Sequence, residues 1–294
     1  MISSFNSVNA GFSVRGGERD SIVGSVLEIW RFRGLVLELV RRDLKVRYKN
    51  RVGGVLWSLF PPLMQVLTIW LMVKFFFAQI SDYSSHLMAV MFLWQFFQNT
   101  VLDASQAMIV NAPLARKIYF PRAVLPLVTL ISNLLHFGVA FLFTLVYFFV
   151  MPLGHPTYPG GIPPFFWMAP FCVLGLGMFA LGIGYLLAYL TTLYDDVKFL
   201  SVTLLGLFFY LVPVLYPIER VFGQAKIYPF YMLNPAAVWL VGFQRSLLPP
   251  LKGFPTVYHL PFDWLAIAFV VSFATLVGGF WIFERSKWTM MERL

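Results

Sequence analysis

The sequence predicts an all-helical integral membrane protein with six transmembrane helices. Of its 294 residues, 59% are hydrophobic and only 12% are charged, and the mean hydropathy is +0.75. Soluble domains are about half apolar and a quarter charged, so a water-soluble fold would leave too much apolar surface exposed. Each of six apolar stretches is long enough to cross about 30 Å of hydrocarbon. The predicted spans are 55–78, 87–109, 124–151, 165–190, 199–216 and 264–283.

The segments outside the spans divide the chain into three predicted parts. Residues 1–30 are rich in Ser, Gly and Asn and lack the apolar core of a signal peptide, which is typical of a mobile tail. Residues 31–52 are predicted to form an amphipathic helix at the membrane surface, because apolar and basic residues alternate at helical spacing over 35–50. The alternative is a plain basic flank of the first span. Residues 53–294 hold the six spans and a short C-terminal tail.

Lysine and arginine predict the orientation of the chain in the membrane. Most of the 22 basic residues precede the first span, lie in the loop after the second, or follow the last. The positive-inside rule therefore places both termini in the cytoplasm. This distribution also accounts for the net charge of +9 without a nucleic-acid partner.

The segment 217–263 is too long for a simple loop, and its prolines are too frequent for a full span. We expect two short helices, at about 222–232 and 236–248, that re-enter the outer leaflet around Asn234 and Pro235. Irregular backbone at membrane depth is stable only where protein buries it or where it lines a cavity. The pattern therefore predicts a gate or conduction path nearby, and the alternative is an aromatic cap in the headgroup layer.

The sequence carries no recognisable catalytic, nucleotide-binding or metal-binding motif. GxxxxGK[ST], HExxH, CxxC and GxSxG are all absent, the four histidines are scattered, and the single cysteine, Cys172, lies in an apolar run. We therefore expect a protein that is not an enzyme and holds no cofactor or metal itself.

Two sets of residues within the spans suggest a polar or aromatic path. The second span carries Asp103 and four amide side chains, which should face the protein interior or a water-filled path, unless they only bond neighbouring helices. Aromatic residues are dense in spans two and five, and those facing a channel would offer flat apolar surfaces to sugar rings; core packing and lipid contact are the alternatives. The predicted channel aromatics are Trp94, Phe97, Phe208, Tyr210 and Tyr216.

Small residues recur every four positions in span four, at Ala180, Gly184 and Ala188. This spacing lets another helix approach closely. Packing within one chain and packing between two chains are equally compatible with it.

Five stretches carry a likeness to a known family. They are RRDLKVRYKNRVGGVLWSLFPPL (41–63), WQFFQNTVLDASQAMIVNAPLARKIYFPRAVLPL (94–127), YLTTLYDDVKF (189–199), LVPVLYPIE (211–219) and YMLNPAAVWLVGFQRSLL (231–248). Together they resemble the membrane subunits of type-two ABC exporters of polysaccharides, such as the O-antigen, capsule and teichoic-acid permeases. The alternatives are an ABC permease for a drug or another lipid, an ion-coupled carrier, and a membrane-embedded transferase.

The resemblance implies a subunit that works in a larger assembly. Two copies would form one conduit for a lipid-linked glycan in the bacterial cytoplasmic (inner) membrane, in contact with membrane lipid. Two separate cytoplasmic ATP-binding-cassette subunits would hold ATP and Mg. An outer gate would lie at Asn234 and Pro235. The ATPase would dock on the loop after span two, supported by the surface helix, through Arg116, Lys117, Tyr119, Phe120, Pro121, Arg122, Arg42 and Lys45.

Overall fold

The computed structural model describes residues 22–48, 55–76, 83–150, 165–216, 218, 228–248 and 261–293, and every regular element in these ranges is a helix. The helices in chain order are α1 (Ile22–Arg31), α2 (Arg33–Tyr48), α3 (Val55–Phe76), α4 (Tyr83–Val110), α5 (Ala112–Lys117), α6 (Val124–Val150), α7 (Met168–Leu193), α8 (Asp196–Leu211), α9 (Tyr228–Met232), α10 (Pro235–Leu247), α11 (Phe262–Arg285) and α12 (Lys287–Arg293).

Three of the described helices are long and apolar enough to cross a membrane: Val124–Tyr147 within α6, Met168–Leu193, and Phe262–Arg285. The predicted all-helical fold is thus confirmed over the described residues, with three candidate membrane spans. The full count of six spans stays a prediction. Helix α4 has 28 residues but carries the polar face, and the apolar part described in α3, Leu59–Phe75, is shorter than a typical span.

The predicted fifth span, 199–216, corresponds to a helix that ends five residues early. Helix α8 stops at Leu211, and Val212 is extended, with φ −104° and ψ 156°. Proline disfavours helical backbone in the residue before it, and Pro213 follows directly.

Helix α7 lies at the centre of the bundle and packs against α4, α10 and α11. Its contact with α11 brings Gly182 against Gly279, and its contact with α4 brings Gly184 against Ala104. Ala180 and Ala188 are fully buried within the chain. The small residues every four positions therefore serve packing inside one chain.

The N-terminal part of the chain is helical further upstream than the sequence predicted. The tail predicted over 1–30 ends in helix α1, which begins at Ile22, while residues 1–21 lie outside the described part. Helix α2 covers most of the predicted surface helix, 31–52. It buries Val36, Leu39 and Val40 and packs against α6.

In the proline-rich segment 217–263 the structure describes helices α9 and α10, while residues 217, 219–227 and 249–260 lie outside the described part. Helix α10 begins at Pro235, and Asn234 caps it by accepting a hydrogen bond from the Ala236 amide at 3.1 Å. Nearly every residue of α10 is buried, so this helix is an interior element and not a headgroup cap. Trp239 anchors it by donating from Nε1 to the Ser272 hydroxyl at 3.0 Å.

Candidate functional site

The loop between α4 and α6 forms a compact elbow, which we define as residues 111–123. Asn111 precedes helix α5, and its side-chain amide donates to the Ala107 carbonyl at 2.9 Å. The chain then leaves the helix through extended Ile118, and α6 begins at Val124. The elbow is therefore continuous with two long helices of the bundle.

The elbow has an exposed tip and a buried base. Arg116, Lys117 and Tyr119 are exposed, Tyr119 by 63%. Phe120 is only 5% exposed, and Pro121 is buried. Of the predicted docking residues in this loop, the first three are open to a partner, whereas Phe120 and Pro121 fix the elbow to the protein.

Ile118, 53% exposed, joins the tip and was not singled out from the sequence. Its position directly between the basic pair and Tyr119 is the signal that could have identified it. The exposed tip thus consists of two cations followed by two large apolar-bodied side chains, which suits a groove with an acidic rim.

Arg122 holds the elbow against the C-terminal region. Its Nη1 donates to the main-chain oxygen of Lys287 at 3.0 Å. Burial lowers the pKa of the Arg122 guanidinium, and nearby Tyr119 and Glu284 oppose that shift. Because an arginine stays protonated in proteins, the charge of Arg122 remains, and the Lys287 carbonyl, Tyr119 and Glu284 stabilise it. Arg122 is therefore a positioning residue of the elbow, and not part of its exposed tip.

Glu284 extends this connection to both ends of the described chain. It accepts from Lys287 Nζ at 3.2 Å and from the Ser25 hydroxyl at 3.4 Å. Helices α1, α11 and α12 thus meet beside the elbow. An apolar cluster beneath includes Phe120, Val36 of α2 and Met290 of α12.

Helix α2 contacts the start of the elbow through one of the two predicted basic residues. Arg42 donates from Nη2 to Oδ1 of Asn111 at 2.6 Å, and the same nitrogen lies 3.0 Å from Oδ1 of Asp43. Lys45 is exposed. The structure therefore brings α2 and the elbow together at one end of the bundle, with Lys45 on the open side.

A polar cluster, of which the sequence analysis identified only Asp103, joins the end of α2 to α4 and α6. Arg47 pairs with Asp103 at 3.0 Å and donates to Oδ1 of Asn133 at 2.9 Å, and Asn133 donates back to Asp103 at 2.9 Å. The hydroxyl of Tyr48 hydrogen-bonds to Nδ1 of His136 at 2.8 Å. Burial raises the pKa of Tyr48, an effect that Arg47 opposes. An aspartate inside a span, as here, signals such a partner.

The five predicted channel aromatics do not share one environment. Trp94 and Phe97 are each only 1% exposed and pack with Phe208, their ring centroids 5.8 Å and 6.2 Å from its ring. Tyr210 is 62% exposed, and the Tyr216 hydroxyl donates to that of Tyr231 at 3.0 Å. Trp94 and Phe97 therefore join α4 to α8 within the chain, and only Tyr210 offers an open ring.

Known proteins share sequence similarity with this chain over most of its length. Residues 34–248 match the family described as ABC-2 type transporter, a range that runs from α2 to the end of α10. Two similar proteins from Klebsiella pneumoniae, each named O-antigen export system permease protein RfbA, are 26% and 27% identical over 262 and 265 residues. Each alignment covers 88% of this chain and 95% of the relative. A protein of the same name from Myxococcus xanthus is 27% identical over 220 residues, which cover 74% of this chain and 82% of that protein.

Proposed function

Because the chain belongs to the ABC-2 type transporter family, we propose that it is the permease subunit of an ATP-driven exporter of a lipid-linked polysaccharide. The family consists of transport membrane subunits, so this chain is a multi-pass membrane protein. The relatives named for O-antigen export cover most of its length and support a glycan as the cargo. ATP and Mg would be bound by separate cassette subunits in the cytoplasm.

The observation that carries this proposal is the elbow with its exposed basic and apolar tip on a buried base. A docking site that transmits force needs an open surface for the partner and a rigid attachment to the spans. Arg116, Lys117 and Tyr119 provide the first, and Phe120 and Arg122 provide the second. Opposite charge on the ATPase would steer the two subunits together.

In the proposed topology the spans are α3, α4, α6, α7, α8 and α11, and both termini lie in the cytoplasm of a bacterial inner membrane. The elbow, the middle of α2 around Arg42, and α12 gather at one end of the bundle, which supports a common cytoplasmic side. That end also carries most of the basic residues named above, in keeping with the positive-inside rule.

Two copies would enclose the conduit along faces that the single chain leaves open. Helices α3 and α8 both expose rows of large apolar side chains. On α3 these are Trp57, Phe60, Met64, Leu67, Leu71, Met72 and Phe75, and on α8 they are Phe199, Leu200, Val202, Leu204, Leu207, Tyr210 and Leu211. Faces of this kind in a membrane protein contact lipid or a second subunit. Tyr210 is the ring best placed to contact sugar in such a conduit.

Charge reversal at the elbow tip tests the proposal. The chain is purified with its ATPase partner and reconstituted with a lipid-linked glycan. Arg116→Glu combined with Lys117→Glu should weaken the complex by roughly 100-fold at low salt, because like charges across an interface cost several kcal/mol. Glycan-stimulated ATP turnover should fall with it. Lys198→Glu is the matched control, since Lys198 is exposed and follows α7 on the same predicted side.

Three results would contradict the proposal. The first is ATP turnover by this chain without the partner. The second is an affinity for the ATPase that the Arg116→Glu and Lys117→Glu double substitution leaves unchanged. The third is an equal loss in the Lys198 control, which would show a general charge effect in place of docking at the elbow.

A further inference from the structure

A cleft between α3, α4 and α6 exposes part of the polar face of α4. Gln95 and Asn99 of α4 and Asn133 and His136 of α6 line it, and Leu59 of α3 forms part of its wall. The space between these side chains is about 280 Å³ including its open mouth. The cleft therefore places four neutral hydrogen-bonding groups together in the middle of two long helices.

Two of these groups have no hydrogen-bond partner. Gln95 and Asn99 are partly buried, and neither side chain has a hydrogen bond to another residue of the described chain. One turn further along, Oδ2 of Asp103 accepts hydrogen bonds from both Arg47 and Asn133. Lipid tails cannot satisfy an amide, and an unsatisfied one costs free energy at membrane depth. The upper part of this polar face therefore requires water or a polar ligand.

The lining suits a sugar better than an ion. Each amide offers two donors and one acceptor, which matches hydroxyl groups that both donate and accept. Phe92, Phe96 and Phe137 also line the cleft, and the last two rings lie 5.5 Å apart. Binding sites for small neutral ligands combine apolar and aromatic walls with a few such polar groups. Among the described residues that line the cleft there is no Asp, Glu, Lys or Arg, and His136 is its one titratable side chain.

The width of the cleft depends on α3. In this conformation its closed part has room for little more than a water molecule. Leu59 and Pro62 narrow it from the α3 side, and α3 packs on α4 with its opposite face exposed. Outward movement of α3 would widen the cleft, and because α3 packs mainly on α4, the contacts of α7 with α4, α10 and α11 would remain.

We propose that this cleft is a subsite for one sugar residue of the exported glycan, in which Gln95 and Asn99 bind its hydroxyls when α3 moves outward. The subsite rests on the proposed function, because it needs a glycan that passes through this subunit. It lies within one chain, between its first three proposed spans, and is distinct from the faces of α3 and α8 that would meet a second copy.

The test uses the chain with its ATPase partner in nanodiscs and two probes: a polyprenyl-diphosphate-linked oligosaccharide, and the same lipid without sugar. Gln95→Met and Asn99→Leu remove the amides at similar volume. Each should raise the glycolipid concentration for half-maximal ATP turnover by about 5-fold, the value of a net hydrogen bond, and leave basal turnover and the response to the sugar-free lipid unchanged. Gln98→Met is the control, because Gln98 lies on the same helix outside the cleft.

A second measurement does not depend on the stability of these variants. Cys172 is the single cysteine of the chain and is buried, so Gln95→Cys creates one accessible thiol. A water-soluble thiol reagent should label it, and the glycolipid should slow that labelling at least several-fold while the sugar-free lipid does not. The same comparison at Gln98→Cys should show no protection.

The possible results distinguish a failure of the proposed subsite from a failure of the proposed function. Equal responses of the Gln95, Asn99 and Gln98 variants, an equal loss with the sugar-free lipid, or a thiol at position 95 that never reacts would each overturn the subsite alone. A wild-type complex whose ATP turnover ignores the glycolipid would overturn the proposed function, and the subsite with it.

Discussion

The contact between α7 and α11 offers a sharp test of how the bundle is packed. A methyl group added at Gly279 would collide with the main-chain oxygen of Gly182. Because the obstacle is backbone, no side-chain rotation relieves it, and the two helices must separate. The adjacent Gly278 is the matched control, since a methyl group there meets nothing within 4 Å.

The magnitude follows from comparing the two alanine variants. Each gains the same helix propensity, about 1 kcal/mol for Gly→Ala in a helix interior. Only Gly279→Ala also carries the overpacking cost, which is typically about 1–3 kcal/mol. We therefore expect Gly278→Ala to be as stable as the wild type or slightly more stable. Gly279→Ala should lie about 1–3 kcal/mol below Gly278→Ala, because their difference isolates the collision.

Thermal unfolding of the purified chain in one detergent measures this difference. The melting temperature of Gly279→Ala should fall below that of Gly278→Ala, and Gly182→Ala should behave like Gly279→Ala because its methyl would lie 2.6 Å from the Thr275 oxygen. Equal melting temperatures for the two adjacent variants would refute the close crossing of α7 and α11.

Three further predictions concern single hydrogen bonds. Arg122→Ala should lower glycan-stimulated ATP turnover at unchanged ATPase binding, because it frees the elbow from the Lys287 carbonyl; a reduced affinity for the ATPase would contradict this. Trp239→Phe should destabilise the chain in thermal unfolding by about 1–3 kcal/mol, because it leaves the buried Ser272 hydroxyl without its donor. In the same assay, Asn234→Ala should lower the free energy of unfolding by about 1 kcal/mol, because the N-terminal cap of α10 is lost. Asn234→Asp should retain the cap and the stability.

Several features of the fold could be predicted because they depend on local sequence. Apolar length alone locates α6, α7 and α11. Asparagine followed by proline is a strong helix start, and α10 does begin at Pro235 with Asn234 as its cap. A proline also explains why α8 is shorter than its apolar run, although the predicted span ignored Pro213.

Local sequence could not predict whether an individual side chain faces the lipid, the protein core or a channel. In a soluble protein an apolar residue marks the interior, but in a membrane protein the lipid-facing, core and channel-lining positions are all apolar. Trp94 and Tyr210 are therefore alike in the sequence, yet one is buried and the other exposed. The ATPase contact of Phe120 stays a prediction, but its burial in the base of the elbow could not be predicted, because the cluster it shares with α2 and α12 joins residues distant in the sequence.

A chain of helix connections and hydrogen bonds links the elbow to the cleft. Force on the elbow tip reaches α4 and α6 directly, since the elbow connects them, and reaches α7 through the hydrogen bond from the Tyr185 hydroxyl to the Ala123 carbonyl at 2.9 Å. It also reaches α2 through Arg42. The end of α2 holds Arg47, which pairs with Asp103 one turn below the unpartnered amides. A displacement of α2 must therefore either move α4 with it or break this ion pair, and in both cases it changes the floor of the cleft. ATP binding at the proposed ATPase partner would in this way alter the proposed sugar subsite.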